Sequence, residues 1–206
     1  PNPDLIVLGV KAYDLDEVMD QIEPILTEKT VILTLQNGID TEDRLIARIQ
    51  RDCVVGGVAY IYSKIAEPGV IDHYKKGAVA IGELMGYESK RLLAIRDLFA
   101  SAGIPCHLSK DLRRSKWEKM CWNCVFNPIT VLIDDKVAKA LDHPEMAGVI
   151  RQIVGEVAAV SAAVDEIWDR HGPLTGLLNN AAANFIAPTV TLSPRAFEAV
   201  TSTVMT

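Results

Sequence analysis

The residues with the clearest chemical potential lie in the run Trp117-Glu118-Lys119-Met120-Cys121-Trp122-Asn123-Cys124-Val125-Phe126-Asn127-Pro128. Lys119, Asn123 and Asn127 stand at i, i+4 and i+8, which on a helix forms one stripe that drifts by roughly 40° per step. Asparagine is a weak helix former because its amide competes for backbone hydrogen bonds. Two of them aligned with a lysine, among Trp, Met, Cys, Val and Phe, point to hydrogen bonds with a ligand. Reduction of a ketone needs a proton donor beside the oxygen that gains negative charge as hydride arrives. A lysine ammonium can supply that proton, and amides can orient the substrate. The competing reading is the solvated face of an ordinary helix, and spacing alone divides the two about evenly.

Two further polar features close apolar runs. Lys11 follows Leu5-Ile6-Val7-Leu8-Gly9-Val10, and Asn37-Gly38 follows a second run that ends at Leu35. In open α/β sheets ligands bind outside the carboxyl ends of strands, which places Lys11 and Asn37 well for binding. Taken singly, each has a plainer reading: a solvated loop charge for Lys11, and a turn for Asn37-Gly38, whose residues tolerate positive φ. Other motifs carry less. Cys121-Trp122-Asn123-Cys124 lies inside a helix pattern, whereas redox pairs of this form open a helix after a strand, so both thiols read as small buried apolar residues. No second cysteine pair completes a zinc set, and the four histidines are scattered. Gly56-Gly57 lacks the G-x-G-x-x-G spacing of a phosphate cradle.

The elements that must position these residues alternate at first. Leu5–Val10, Thr30–Leu35 and Cys53–Tyr62 read as strands. Asp14–Leu26, with Leu15, Val18, Ile22 and Ile25 at helical spacing, and Thr41–Ile49, capped by Asp40 or Thr41, read as helices. Such alternation implies right-handed βαβ units and a parallel sheet covered on both faces. Between Gly69 and Leu84 the sequence suggests a hairpin turning at Lys75-Lys76-Gly77. Glu88–Ala102 reads as a helix stopped by Gly103, and Pro105–Leu108 as a short strand. After Leu108 the pattern becomes helical: Lys110–Ile133, interrupted at Pro128, then His143 to about Ala163. Asp165–Arg170 finishes a helix, Leu174–Leu178 reads as a strand, and a last helix starts at Ser193-Pro194. The fold class expected is α/β: an incomplete Rossmann-like parallel sheet, an incomplete helical domain and a short βα segment. The expected divisions are 1–108, 109–160 and 161–206.

Composition narrows the function classes. The formal net charge of -6 leaves no basic excess for nucleic acid or an anionic membrane surface. No run of apolar residues approaches the length a bilayer requires, and no signal-peptide pattern opens the chain. The four cysteines show no disulfide framework, so a reducing cytosol is expected. The opening Pro1-Asn2-Pro3-Asp4 leads straight into a buried-type strand, which suggests that upstream sequence is missing.

Together the segments VKAYD at 10–14, LQNGID at 35–40 and KWEKMCWNCVFNPIT at 116–130 resemble the ketopantoate reductase (2-dehydropantoate 2-reductase) family, over about residues 4–160. The resemblance implies a Rossmann domain that binds NADPH and a helical domain that closes over a 2-oxo acid. It further implies Lys119 as the catalytic acid–base, Asn123, Asn127 and Asn37 as substrate contacts, and Lys11 and Asn37 at the junction of cofactor and substrate. An assembly of identical chains is compatible with this. The family's glycine-rich turn would lie before Pro1, and its later serine and carboxylate do not follow residue 160. Residues 172–206 instead resemble the middle of a short-chain dehydrogenase/reductase, with Asn179-Asn180-Ala181-Ala182 in place of an N-N-A-G motif. That family's Tyr-x-x-x-Lys pair is missing, and Val204 stands where its catalytic Asn is usual. The alternative to an active reductase is therefore a non-catalytic truncated or chimeric fragment without a working cofactor site.

Overall fold

The computed structural model describes residues 2–133 and 137–171. Two compact units divide the chain, Pro1–Met120 and Cys121–Thr206. The first is built on one five-stranded sheet in the order β1 (Leu5–Leu8), β2 (Val31–Thr34), β3 (Val54–Glu67), β4 (Val70–Gly82), β5 (Cys106–Leu108). Strands β1, β2 and β3 are parallel, β4 runs antiparallel to β3, and β5 is parallel to β4. The sheet is thus mixed rather than wholly parallel.

Alternate residues of the apolar strands feed two cores. On one face Leu8, Ile32 and Val54 pack with Leu15 and Met19 of α1 (Leu15–Ile22) and Leu45 of α2 (Thr41–Ile49). On the other, Leu33, Val55, Val79 and Ile81 pack with Leu92 and Ile95 of α3 (Lys90–Ser101). Helix α1 is shorter than its pattern suggests. Pro24 falls in a following 3-10 turn, where Ile25 is left exposed, and the buried partner of Leu15 is Met19, one full turn on. Helix α2 occupies the expected residues, with Asp40 at its N-cap, although no side-chain hydrogen bond caps it. Ser89 caps α3 by accepting from the Leu92 N–H at 3.0 Å, and Gly103 follows that helix at φ 70°.

The expected turn at Lys75-Lys76-Gly77 does not occur. Strand β3 continues to Glu67, the chain reverses at Pro68-Gly69 with Gly69 at φ 83°, and β4 runs unbroken back through residues 75–77. A two-residue loop with glycine at positive φ reverses a ribbon tightly. The ladder from Glu67–Val70 to Gly56–Gly82 then holds residues 75–77 extended, with irregular register around Tyr60 and Tyr62.

The glycine pair in β3 has a packing role. A Cβ on Gly56 would meet Leu112 Cδ2 at 2.1 Å, and one on Gly57 would meet the Thr34 carbonyl oxygen at 2.8 Å. Since neighbouring backbone cannot yield as a side-chain tip can, Gly57→Ala is expected to destabilise the protein by about 1–3 kcal/mol. Chemical denaturation monitored by circular dichroism checks this; an unchanged midpoint would show that β3 has slack.

Helix α4 (Leu112–Ile133) gives its first turns to the first unit and the rest to the second. It is continuous through Pro128, contrary to the expected interruption. Proline removes one helical hydrogen bond, but burial of Val125 and Ile129 on either side holds the helix together. The Thr130 hydroxyl donates to the Phe126 carbonyl at 2.7 Å. In the second unit Val125 and Ile129 pack with Ala140 of α5 (Val137–Asp142) and with Met146, Ile150 and Ile153 of α6 (Met146–His171). Met146–Ile167 is long and apolar enough, at a mean hydropathy of 1.4, to cross a membrane by length and composition only. Arg151 and Glu156 interrupt its apolar residues, so no uninterrupted run signals it. The expected strand at 174–178 and the helix from 193 lie outside the described residues.

Candidate active site

The register of the parallel strands sets the site. Leu8, Thr34 and Gly56 lie level across β1, β2 and β3. Lys11 and Asn37 each follow that level by three residues, beyond the carboxyl ends of β1 and β2, whereas Ala59 lies three residues on within β3. With strands about 4.8 Å apart, Leu8, Thr34 and Gly56 span roughly 10 Å of backbone. This is the edge at which open α/β sheets bind ligands.

Lys11 and Asn37 are both exposed. They are brought together by Gln36, which sequence reasoning passed over. Gln36 is buried, and its Nε2 donates to the Val10 carbonyl at 2.8 Å and, at 3.4 Å, to that of Lys11. The loop after β1 is thereby tied to the loop after β2. Gly38 lies at φ 122°, a conformation that favours glycine, so Asn37-Gly38 is a turn whose geometry also presents the asparagine.

Lys119 reaches the same edge from α4. Its Nζ donates to the Ala59 carbonyl at 2.6 Å, and the side chain is half-buried. Burial lowers its pKa below the ordinary 10.5, and the neighbouring positive charge of Lys116 lowers it further. An ammonium made more acidic by its surroundings and held by a single carbonyl is well suited to give up a proton. Asn123 and Asn127 follow one and two turns along α4, in the second unit, the first half-buried and the second exposed. Asn127 also accepts from the Thr130 hydroxyl through its backbone carbonyl at 3.1 Å.

Beneath Lys119 lies a buried cluster that the sequence did not announce. Lys116 Nζ donates to Glu42 Oε1 at 2.6 Å, and the Thr34 hydroxyl donates to the same carboxylate. Lys116 stands in a mixed run of basic and acidic residues that reads as surface, while Glu42 reads as an ordinary acid in a first helical turn. Their pairing joins positions 74 residues apart, and local patterning carries no signal for it. The Cys121–Cys124 pair is half-buried, and burial, followed by the Cys121 neighbour, raises the Cys124 pKa, which suits an inert thiol. Among the described residues no group of three or more His, Cys, Asp or Glu could hold a metal ion.

The family described as "Ketopantoate reductase PanE/ApbA" matches residues 1–86, and "Ketopantoate reductase PanE/ApbA C terminal" matches residues 111–205. The second match extends across the segment that resembles a short-chain reductase. The 2-dehydropantoate 2-reductase of Pyrococcus abyssi is 30% identical over 160 residues, covering 78% of this chain and 52% of its own length. The crystal structure of 2-dehydropantoate 2-reductase from Geobacter metallireducens superposes with a TM-score of 0.71 at 33% identity, over 78% of this chain and 54% of that one. D-mandelate dehydrogenase in complex with NADH gives a TM-score of 0.72 at 25% identity, over 80% and 55% of the two chains. The chain spans about half the length of the relatives it matches. The two family models together match residues 1–86 and 111–205, and the relatives agree with them: the chain belongs to the ketopantoate reductase family.

Proposed function

We propose that this chain carries the reducing site of an NADPH-dependent oxidoreductase that converts a 2-oxo acid of the 2-dehydropantoate type to the 2-hydroxy acid. The observation that supports this best is the half-buried Lys119 ammonium held on the Ala59 carbonyl at 2.6 Å, on the sheet whose β1 and β2 lead out to Lys11 and Asn37. When bound, NADPH supplies the hydride. An exposed ammonium and an exposed amide at adjoining strand ends fit the polar nicotinamide end of such a cofactor, with Lys11 and Asn37 as its contacts. Asn37 is also assigned to the substrate. So are Asn123 and Asn127, by their place on the helix that carries Lys119. Lys119 holds the proton that the nascent alkoxide takes up, and the Ala59 carbonyl fixes where that proton waits. The four free thiols support a reducing, cytosolic setting.

A second reading, a non-catalytic fragment, is favoured by the absence of any G-x-G-x-x-G in this sequence, since that turn normally carries the pyrophosphate. The two readings separate by experiment. Residues 1–206 alone should bind NADPH poorly. The polypeptide extended to the length of its relatives should gain thermal stability from NADPH and consume it with 2-dehydropantoate. If the extended protein neither binds NADPH nor turns over the ketoacid, the reductase reading falls. Micromolar NADPH binding by residues 1–206, measured by calorimetry, would overturn the expectation of poor binding.

A further inference from the structure

Lys116 and Lys119 lie one helical turn apart near the start of α4, and both leave the solvent. Lys116 is 6% exposed and Glu42 is 3% exposed. Thr34, the last residue of β2, donates to Glu42, the second residue of α2, and Glu42 accepts from Lys116 through both carboxylate oxygens. Three elements therefore meet in one buried charged cluster. Such a pair adds little stability over apolar residues of the same volume, so its use here is geometric. One turn earlier the Leu112 side chain fills the space that a Cβ on Gly56 would occupy. Leu112 and Lys116 together fix both the height and the rotation of the first turns of α4, residues 112–120, on the sheet, and Lys119 is the next residue on that face to reach it.

We propose that Lys116 is a positioning residue: its ion pair with Glu42 sets the rotation of the first turns of α4 and so holds the Lys119 ammonium on the Ala59 carbonyl. The mechanistic value of this rests on Lys119 being the proton donor; the positioning itself does not. The charged and titratable groups around this stretch are Arg113, Lys116 and Glu118 on α4, Asp40, Glu42 and Asp43 at the start of α2, and Tyr60 on β3. After burial, the Lys116 charge is what lowers the Lys119 pKa, so Lys116 acts on Lys119 by field as well as by placement.

Competitive trace acetylation with acetic anhydride across pH, read lysine by lysine by mass spectrometry, tests this without any need for turnover. In the unmodified chain Lys119 should titrate below the ordinary lysine range. Lys116→Met/Glu42→Gln removes both charges at nearly constant volume. Its Lys119 titration should move back up, and labelling at a pH below the ordinary lysine range should fall several-fold. Lys116→Arg, which keeps charge and pair, should label Lys119 like the parent. Glu42→Gln alone frees Lys116 to turn towards solvent and away from Lys119, so Lys119 should again titrate higher, which serves if the double variant does not fold. An unchanged Lys119 profile in either folded variant overturns the proposal. Loss of the reductase assignment would leave these labelling results untouched, so the two ideas fail separately.

Discussion

Lys119→Ala, in the polypeptide extended to the length of its relatives, is expected to lower ketoacid turnover by about two to four orders of magnitude, with fold and NADPH affinity nearly unchanged. Among the described residues the side chain makes one polar contact, to the Ala59 carbonyl at 2.6 Å. Its removal costs the structure at most about one ordinary hydrogen bond, roughly 1 kcal/mol. What it removes from the reaction is the proton source, which acts only as charge develops on the substrate oxygen. The pH dependence has a definite sign. The protonated form is the donor, so reduction should decline as pH rises through the lowered pKa, before the ordinary 10.5 is reached. Stability runs the other way. Burial penalises the charged form in the folded state, so the cost is present while Lys119 is protonated and fades as pH rises from its folded pKa towards 10.5. Lys119→Met should therefore be at least as stable as the parent at neutral pH while being nearly inactive. Steady-state kinetics alongside thermal denaturation checks both. Near-parental turnover in either variant would remove Lys119 from the mechanism.

The sequence made one class of feature legible and hid another. Lys11 and Asn37 could be placed because a strand that ends in a polar residue presents it at a predictable edge, whatever surrounds it. Lys119 stood out because lysine and asparagine share a stripe inside an apolar helix. Helix α2 could be delimited because Thr41, Leu45 and Ile49 repeat at helical spacing. Features that depend on distant partners could not be read. Gln36 matters because Val10 and Lys11 lie across from it, and nothing in LQNG separates it from its neighbours. Lys75-Lys76-Gly77 has local turn chemistry, but a ladder to β3 keeps it extended. Pro128 is a helix breaker by propensity, and burial of Val125 and Ile129 overrides it. In each case a long-range contact outweighs a local preference of about a few kcal/mol.

The buried pair gives the largest expected effect on stability, and the argument turns on what is left behind. Lys116→Met alone should destabilise the protein by about 3–5 kcal/mol, because the buried Glu42 carboxyl would lose its counter-charge and keep, among the described residues, only the Thr34 hydroxyl as partner. Glu42→Gln alone should cost less. Lysine carries its charge on a flexible stem that can reach towards solvent, and the cleft over this cluster, lined by Ile39, Asp43 and Leu84, offers a path. The double variant Lys116→Met/Glu42→Gln removes both charges and leaves an amide that can still accept from Thr34. It should recover most of the loss of Lys116→Met and could match the parent, since a buried ion pair seldom outperforms well-packed neutral residues. The two changes must therefore be strongly non-additive in a double-mutant cycle. Urea denaturation of the four proteins measures this coupling. Additive effects, or a mild Lys116→Met, would mean that the pair is open to water in solution, and would weaken the case that it fixes α4 against the sheet.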